Sequence, residues 1–497
     1  MLMSYLGATK SWLYAVIFTV WDPTPLTIRL PMLLAGAFSI WLFYRLVNRV
    51  AGPRAAVIAA ALLATDSTYL LTTRCDWGPV ALQHLFVISG LLLVVKYYQD
   101  SSVLSLGGGF FLFGAACWDK ALSLWLLSGL AAGVVIVFPR ELRRSFSART
   151  VTAAVLGFGL GALPLLVYNL DAKPRFSTLR SNAAFDLSEL PAKARFLVSS
   201  LEGSTLFAYW VREEDERPLR PPRTGLERVS VWLSGVSGKP RRNLLYLCTL
   251  LALVLIPVLW RTPARRVLLF GFLVMAVAWV QMGITHNAGG GIHHTALLWP
   301  FPQLLIGVAL AEVSRRFGRP ALWTVAAATV LACGSSLLLT NHYYALLIRA
   351  GGSITWTDAI YPLSEYLKKS TPAQQLYVLD WGMFDALRLL NGGRLPLYVG
   401  SEPFSKDPMT EEDRKLARSM AEPGSLFLGH TAGNEFDPRV ARQLEAWAAQ
   451  EGYRKRVLEV IRDRNGRAIF EVFRLERVSG SPVSQRPARD RVSRPAA

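Results

Sequence analysis

The sequence predicts a mainly α protein: a polytopic transmembrane helix bundle of about ten spans, followed by a C-terminal extracytoplasmic α/β domain. Three observations carry that expectation. The 497 residues are 52% hydrophobic and only 18% charged, with a mean hydropathy of +0.31, whereas soluble chains carry about 25% charge. Ten runs approach the ~20 apolar residues that a helix needs to cross the hydrocarbon core. Beyond Trp356 the pattern changes to short apolar strands alternating with amphipathic helices.

Residues 1–29 read as an interfacial segment on the outer face. Lys10 interrupts the run Met1–Trp21, and the apolar-leaning stretch after it is too short to span. Its charge pattern is not that of a cleavable signal peptide. The domain 30–341 then holds the ten runs, at 30–47, 55–73, 79–97, 103–118, 121–138, 150–169, 243–260, 266–284, 295–312 and 320–341. Only Trp118-Asp119-Lys120 separates the fourth from the fifth, which predicts a tight helical hairpin. One set of connectors carries Arg45, Arg49, Arg54, Lys96, Arg140, Arg143, Arg144, Arg149, Arg261, Arg265, Arg266, Arg315, Arg316 and Arg319. The short connectors of the other set carry only Arg74 and Lys120. That asymmetry makes the Arg-rich side cytoplasmic. The loop 171–242 is too long to obey the rule and falls outside with Asp76, Asp119, His286–His294 and everything after 342. The expected location is the inner (plasma) membrane, multi-pass.

Residues 342–478 form the outer α/β domain. Expected helices are Asp358–Lys369, Glu411–Ala421 and Pro438–Gln450. Expected strands are Gln375–Leu379, Leu395–Val399, Ser425–Leu428, Val457–Ile461 and Ala468–Arg474, in a small, mostly parallel sheet. The tail 479–497 is rich in Ser, Pro and Arg without a hydrophobic period and reads as disordered.

The net charge of +19 is largely topological, so no nucleic-acid partner is expected. Four isolated cysteines give neither a zinc knuckle nor a disulfide framework. No GxGxxG or GxxxxGK[ST] motif points to a nucleotide. Four polar clusters fall at outer helix ends. Lys10, among Tyr5, Trp12 and Tyr14, either snorkels to headgroups or binds an anion. Arg74 and Asp76, in Thr72-Thr-Arg-Cys-Asp-Trp-Gly-Pro79, either form a solvated ion pair or serve a substrate. Asp119 and Lys120 either make a turn polar or do the same. His286, His293 and His294 lie in a Gly-rich stretch before Trp299-Pro300. A metal is disfavoured there because adjacent His293 and His294 diverge on a helix or strand and no other ligand type lies nearby. Hydrogen bonds to phosphate or sugar oxygens are preferred, with glycines letting backbone N–H groups approach an anion. No metal or other cofactor is expected. Asp380-Trp381-Gly382 and His430 read either as loop residues or as ligand contacts. Cations converging at headgroup depth suit a lipid phosphate with its tail between helices. A nearby carboxylate adds a general base.

The order of these motifs resembles a family. Arg29-Leu-Pro31, Tyr44-Arg45-Leu, Gly52-Pro-Arg54-Ala-Ala, Ala-Thr65-Asp-Ser, Thr73-Arg74-Cys-Asp76, Trp118-Asp-Lys120 and the His-His to Pro300 entry are similar to the polyprenyl-phosphate-sugar-dependent C-type membrane glycosyltransferases. These include the protein O-mannosyltransferases and aminoarabinose transferases. The likeness covers roughly residues 5–340. It implies an inverting single displacement on the extracytoplasmic side: a carboxylate deprotonates an acceptor hydroxyl, which attacks the anomeric carbon and expels polyprenyl phosphate. The implied partners are a polyprenyl-phosphate sugar donor, an unspecified glycan, lipid or protein acceptor, and membrane lipid. Lys10, Arg74 and Lys120 correspond to phosphate-side groups, joined by His293 and His294 as substrate contacts. The family's acidic pair lies in a first outer loop upstream of the Lys10 position, after a first helix. No Asp or Glu lies between Met1 and Lys10, so the expectation is either a longer natural chain or a relative that only binds. Asp76 is then the remaining acidic candidate, as catalyst or as the partner of Arg74. A transporter or flippase for lipid-linked sugars and a non-catalytic binding protein are the rival readings.

Overall fold

A computed structural model describes residues 5–76, 78–171, 178, 184–286, 288–353, 356–369 and 375–478. The tail expected to be disordered lies outside the described residues. The chain divides into two compact units: Met1–Glu213 with Pro221–Arg349, and Glu214–Arg220 with Ala350–Ala497.

The first unit is helical. Helix α1 (Thr9–Ile17) is about 14 Å long at 1.5 Å per residue, too short to span, and leaves Trp12 and Val16 exposed. Next come α2 (Pro25–Ala51), α3 (Pro53–Thr65), α4 (Ser67–Cys75), α5 (Ala81–Asp100), α6 (Val103–Asp119), α7 (Ser123–Val137), α8 (Pro139–Ser145), α9 (Ala148–Gly161) and α10 (Leu163–Asp171). After the long loop, which contains α11 (Leu190–Leu201), α12 (Phe207–Trp210) and α13 (Gly225–Val236), follow α14 (Leu245–Val258), α15 (Arg265–Ile284), α16 (Ile292–Thr295), α17 (Phe301–Arg316) and α18 (Gly318–Arg349).

Each of the ten apolar runs falls on one of these helices or on a bent pair. Among the described residues, five segments are long and apolar enough to cross a membrane, or up to eight if each bent pair is one span; Val103–Asp119 and Leu245–Val258 are shorter apolar helices. The bend of 55° between α3 and α4 has a visible cause. Asp66 leaves the helical region at φ −63°, ψ 121°, and its carboxylate caps α4 through the Tyr69 N–H at 2.6 Å. Buried Asp66 also accepts from the Trp299 indole at 3.1 Å.

Helices α6 and α9 cross so closely that only hydrogen fits at the contact. A Cβ on Gly157 would sit 2.2 Å from the Gly107 carbonyl oxygen, and one on Gly161 2.0 Å from that of Phe111. Small residues at a crossing let apolar helices gain packing contacts that lipid alone does not supply.

In the second unit, β1 (Gln375–Val378), β2 (Leu397–Val399), β3 (Ser425–His430), β4 (Tyr453–Arg462) and β5 (Ala468–Arg477) form a sheet of order β2-β1-β3-β5-β4. The sheet is mixed rather than mostly parallel: β1 pairs parallel with β2 and β3, whereas β5 pairs antiparallel with β3 and β4. The connection from β4 to β5 is too short for a parallel crossover and turns through Asn465-Gly466, a hairpin dipeptide. Strand alternation sends Leu376 and Val378 to one core and Tyr377 and Leu379 to the other. Helices α19 (Ile360–Lys369) and α20 (Phe384–Leu390) cover the first face; α21 (Glu411–Met420) and α22 (Pro438–Gln450) cover the second.

Candidate functional site

At one end of the helical unit, residues far apart in sequence meet. The backbone of Leu6 bridges that of Lys120 in antiparallel fashion, with the Gly7 N–H donating to the Asp119 carbonyl at 3.1 Å and the Ala121 N–H to that of Tyr5 at 2.9 Å. Glycine is required for this approach, since a Cβ at position 7 would lie 1.8 Å from the Trp118 carbonyl oxygen. The bridge fixes where α1 begins, and so where Lys10 projects.

Lys10 Nζ lies 2.6 Å from Asp76 Oδ2. Asp76 ends α4 in the left-handed region, at φ 44°, ψ 46°, which turns its carboxylate away from the helix it closes. Its Oδ1 accepts the Val80 and Ala81 N–H groups, each at 3.1 Å, at the start of α5. Asp76 is thus held between the next helix and Lys10; the lysine remains a third exposed while the carboxylate is buried. The Arg74 guanidinium stacks 5.0 Å from the Tyr344 ring centre, and the Arg74 carbonyl accepts from Arg29 at 2.9 Å. Asp76 therefore pairs with Lys10, and no contact with the Arg74 guanidinium is seen.

Lys120 is fully buried, and its ammonium donates to the His293 carbonyl. Asp119 is equally buried. Neither of its oxygens has a hydrogen-bond partner among the described residues, and Asp76, Lys10, Lys120 and Thr9 are the polar groups acting on it. Two carboxylates and two ammonium groups thus share one water-poor region. Pairing them offsets a desolvation cost of several kcal/mol per ion.

The His293 and His294 rings lie 4.1 Å apart. His294 accepts the Gly289 N–H on Nδ1 at 3.0 Å and meets Tyr5 and Trp125 edge-on; among the described residues its Nε2 has no hydrogen-bond partner. His286 leaves the cluster for Asp186 on the long loop, at 3.2 Å. Hydrogen bonds from the Ser188 hydroxyl and N–H, then from His286, hold the Asp186 carboxyl down to about 2. Among the described residues no group of three His, Cys, Asp or Glu is arranged to hold a metal.

The structure therefore brings Lys10, Asp76, Lys120 and the 293–294 segment together, and directs the Arg74 side chain to Tyr344. Two contributors were missed as site residues. Asp119 is the second carboxylate of the cluster, acted on by Thr9, Lys10 and Lys120, and it sits inside the Trp118-Asp119-Lys120 motif. His84, buried on α5, donates from Nε2 to the Ala296 carbonyl at 2.7 Å and stacks on Tyr69. Nothing local in the sequence marks it. Buried polar atoms are almost always satisfied by protein, water or ligand. Among the described residues, buried polar atoms of His84, Trp118 and His294 have no hydrogen-bond partner, which leaves this end of the bundle able to receive a polar guest.

Residues 9–168 match the model of the dolichyl-phosphate-mannose-protein mannosyltransferase family. Among curated proteins none matches the chain. The fold is similar to that of ArnT from Cupriavidus metallidurans, solved bound to undecaprenyl phosphate: 15% identity, TM-score 0.54, 95% of this chain and 88% of that one. It is also similar to the Archaeoglobus fulgidus oligosaccharyltransferase, solved with Zn and sulfate: 12% identity, TM-score 0.53, 95% of this chain and 66% of that one. The resemblance to the polyprenyl-phosphate-dependent C-type glycosyltransferases and the expected helical-bundle fold class are both borne out.

Proposed function

We propose that this chain, built on the fold of the polyprenyl-phosphate-dependent C-type glycosyltransferases, moves a sugar from a polyprenyl-phosphate donor to an acceptor hydroxyl by inverting single displacement. The observation that carries the reading is the Lys10–Asp76 pair beside Asp119 and buried Lys120, at one end of an apolar bundle. A donor of this class joins an anionic phosphate to a hydrocarbon tail. Such a site suits the phosphate, and the lipid-facing helices suit the tail. ArnT with undecaprenyl phosphate is a relative in fold that holds such a lipid.

In this reading Lys10, accessible and steered by Asp76, binds the phosphate oxygens. Lys120 stabilises the charge that grows on the phosphate as the glycosidic C–O bond breaks, an electrostatic contribution of the kind that commonly dominates catalysis. Of the acidic side chains described, Asp119 and Asp76 reach the cluster. Asp119, beside the Thr9 hydroxyl and both ammonium groups, takes the acceptor proton, and Asp76 positions Lys10. The acceptor oxygen forms the new bond to the anomeric carbon from the face opposite the departing phosphate, which inverts the centre. Arg74 supports the lip of the site from Tyr344, and His293 and His294 offer ring nitrogens to sugar hydroxyls. The site faces the extracytoplasmic side of the plasma membrane, because the Arg-rich connectors lie on the other side.

The test uses membranes containing the full chain and a polyprenyl-phosphate sugar labelled in the sugar. Label should appear in a new glycosidic bond with release of polyprenyl phosphate. Lys10→Ala or Lys120→Ala should each slow transfer by about 10²–10³-fold, and Asp119→Asn by about 10²–10⁴-fold. Transfer that survives all three changes overturns the reading. Movement of label across the membrane without a new glycosidic bond assigns the chain to transport.

A further inference from the structure

At the end of the helical unit away from Lys10, α2, α15 and α17 leave a cavity of about 190 Å³, the liquid volume of about six waters. Helix α2 runs to it from Arg29, which reaches the Arg74 carbonyl, and α17 runs to it from Phe301, just beyond Trp299. Both α2 and the segment Ile292–Arg316 are long and apolar enough to cross a membrane, so their far ends fall at headgroup depth. Val50, Pro263, Val267 and Val308 give the cavity apolar walls. Val50 and Arg315 are exposed, which opens it at the surface of the bundle.

Two of the lining side chains are charged, Glu312 and Arg315, one turn apart on α17. Gly52, at φ 85°, ends α2 and leaves the Ala51 carbonyl open to Arg315, which donates to it from Nη2 at 2.9 Å. Its Nη1 reaches Glu312 Oε2 only at 3.4 Å, longer than the ~2.7–3.2 Å of a full N–H···O bond. Glu312 is buried, yet its Oε1 accepts no hydrogen bond from a described residue. Buried carboxylate oxygens are rarely left so. The two charges are thus loosely paired, and each keeps hydrogen-bonding capacity beside the cavity. Helix ends sort the space by sign. Helix α15 starts at the wall with Ala264 as its N-cap, which favours an anion, whereas Glu312 lies towards the C-terminal end of α17, where a cation is favoured.

An anion alone would leave Glu312 unmet and add to its charge; a cation alone would do the same to Arg315. A guest with both signs a few atoms apart satisfies both: a phosphate on Arg315 beside the start of α15, and an N–H-bearing ammonium on Glu312 Oε1. The apolar walls and the depth in the bilayer then suit a hydrocarbon chain joined to that phosphate. We propose that this cavity binds a zwitterionic phospholipid with a primary ammonium, phosphatidylethanolamine, whether or not the Lys10 cluster transfers sugar.

The test titrates the full chain in detergent with single lipids and counts bound lipid by native mass spectrometry. Phosphatidylethanolamine should bind saturably. Phosphatidylcholine, whose ammonium has no N–H, should bind about tenfold more weakly, the cost of one hydrogen bond to a charged group. Glu312→Gln and Arg315→Gln nearly keep side-chain size and should each weaken phosphatidylethanolamine by about the same factor, with the thermal transition unmoved. Equal binding of the two lipids by the unaltered chain overturns the proposal. Tighter binding of phosphatidylglycerol than of phosphatidylethanolamine does so too, because the site then selects an anion. So does displacement of the lipid by an equal concentration of soluble O-phosphoethanolamine, because no hydrocarbon is then required. A preference lost in Lys10→Ala but kept in both α17 variants also overturns it, since the lipid then sits at the other end of the bundle.

Discussion

At the scale of single residues, the site depends on where the chain can approach itself. Gly7 allows the strand-like bridge to Lys120, and adding one methyl forces a shift of more than 1 Å against a backbone carbonyl. Gly7→Ala should therefore displace Lys10 and reduce sugar transfer as strongly as Lys10→Ala, while the protein inserts and unfolds like the parent; a transfer assay beside a thermal unfolding scan checks this. Asp119→Asn and Asp76→Asn separate the two acids. The first should slow transfer by about 10²–10⁴-fold with donor binding retained, and the second should weaken donor binding by releasing Lys10. Measuring donor affinity and turnover separately distinguishes them. Lys10, Asp76 and Lys120 were legible because charge at the lip of an apolar bundle is conspicuous. The Asp76–Lys10 pairing was not, since it rests on a left-handed backbone at Asp76 and on a contact across 66 residues. The direction of Arg74 towards Tyr344 was equally hidden, because the two belong to helices distant in sequence.

At the scale of elements, α6 carries Asp119 at its end, and its position is set by the crossing with α9. Gly161→Leu would insert a side chain where a Cβ already falls 2.0 Å from a carbonyl oxygen. The expected result is a parted helix pair, lower thermal stability and lost transfer, although the change is remote from the site in sequence. Gly159, where a Cβ meets nothing within 4 Å, should accept alanine without effect. At the α3–α4 bend, Asp66→Ala removes a helix cap and the hydrogen bond from the Trp299 indole to a carboxylate. That should cost about 2–4 kcal/mol, measurable as a lowered unfolding transition. Helix positions in the bundle were legible from apolar runs alone, since lipid imposes length and composition. The mixed sheet was not, because strand direction depends on connection length, and the Asn465-Gly466 turn was passed over. The short α20 was overlooked for a similar reason: seven residues give too little periodicity to stand out.

At the scale of the whole molecule, the two units answer to different solvents and respond differently to pH. In the second unit, burial pushes Asp380 upward, but hydrogen bonds from His430, the Phe436 N–H and the Trp381 N–H outweigh it and hold the carboxyl below its ordinary value. A carboxylate lowered on folding stabilises the native state above its unfolded value of about 3.9, and that contribution is lost as pH falls through the folded value. Amide exchange in β1 and β3, corrected for intrinsic rates, should show protection falling at acid pH, and less steeply in Asp380→Asn. The first unit has no comparable freedom. Its candidate site joins Lys10 to Asp76 across 66 residues and Lys120 to His293 across 173. At about 5–20 residues per second, the ribosome needs roughly 10–35 s between making Lys120 and making its carbonyl partner. Until then the buried ammonium has no acceptor from α16, so a nascent chain with its first helices already in the bilayer holds an unfinished site. The candidate site of this protein is therefore completed late in synthesis, once most of the bundle has been threaded.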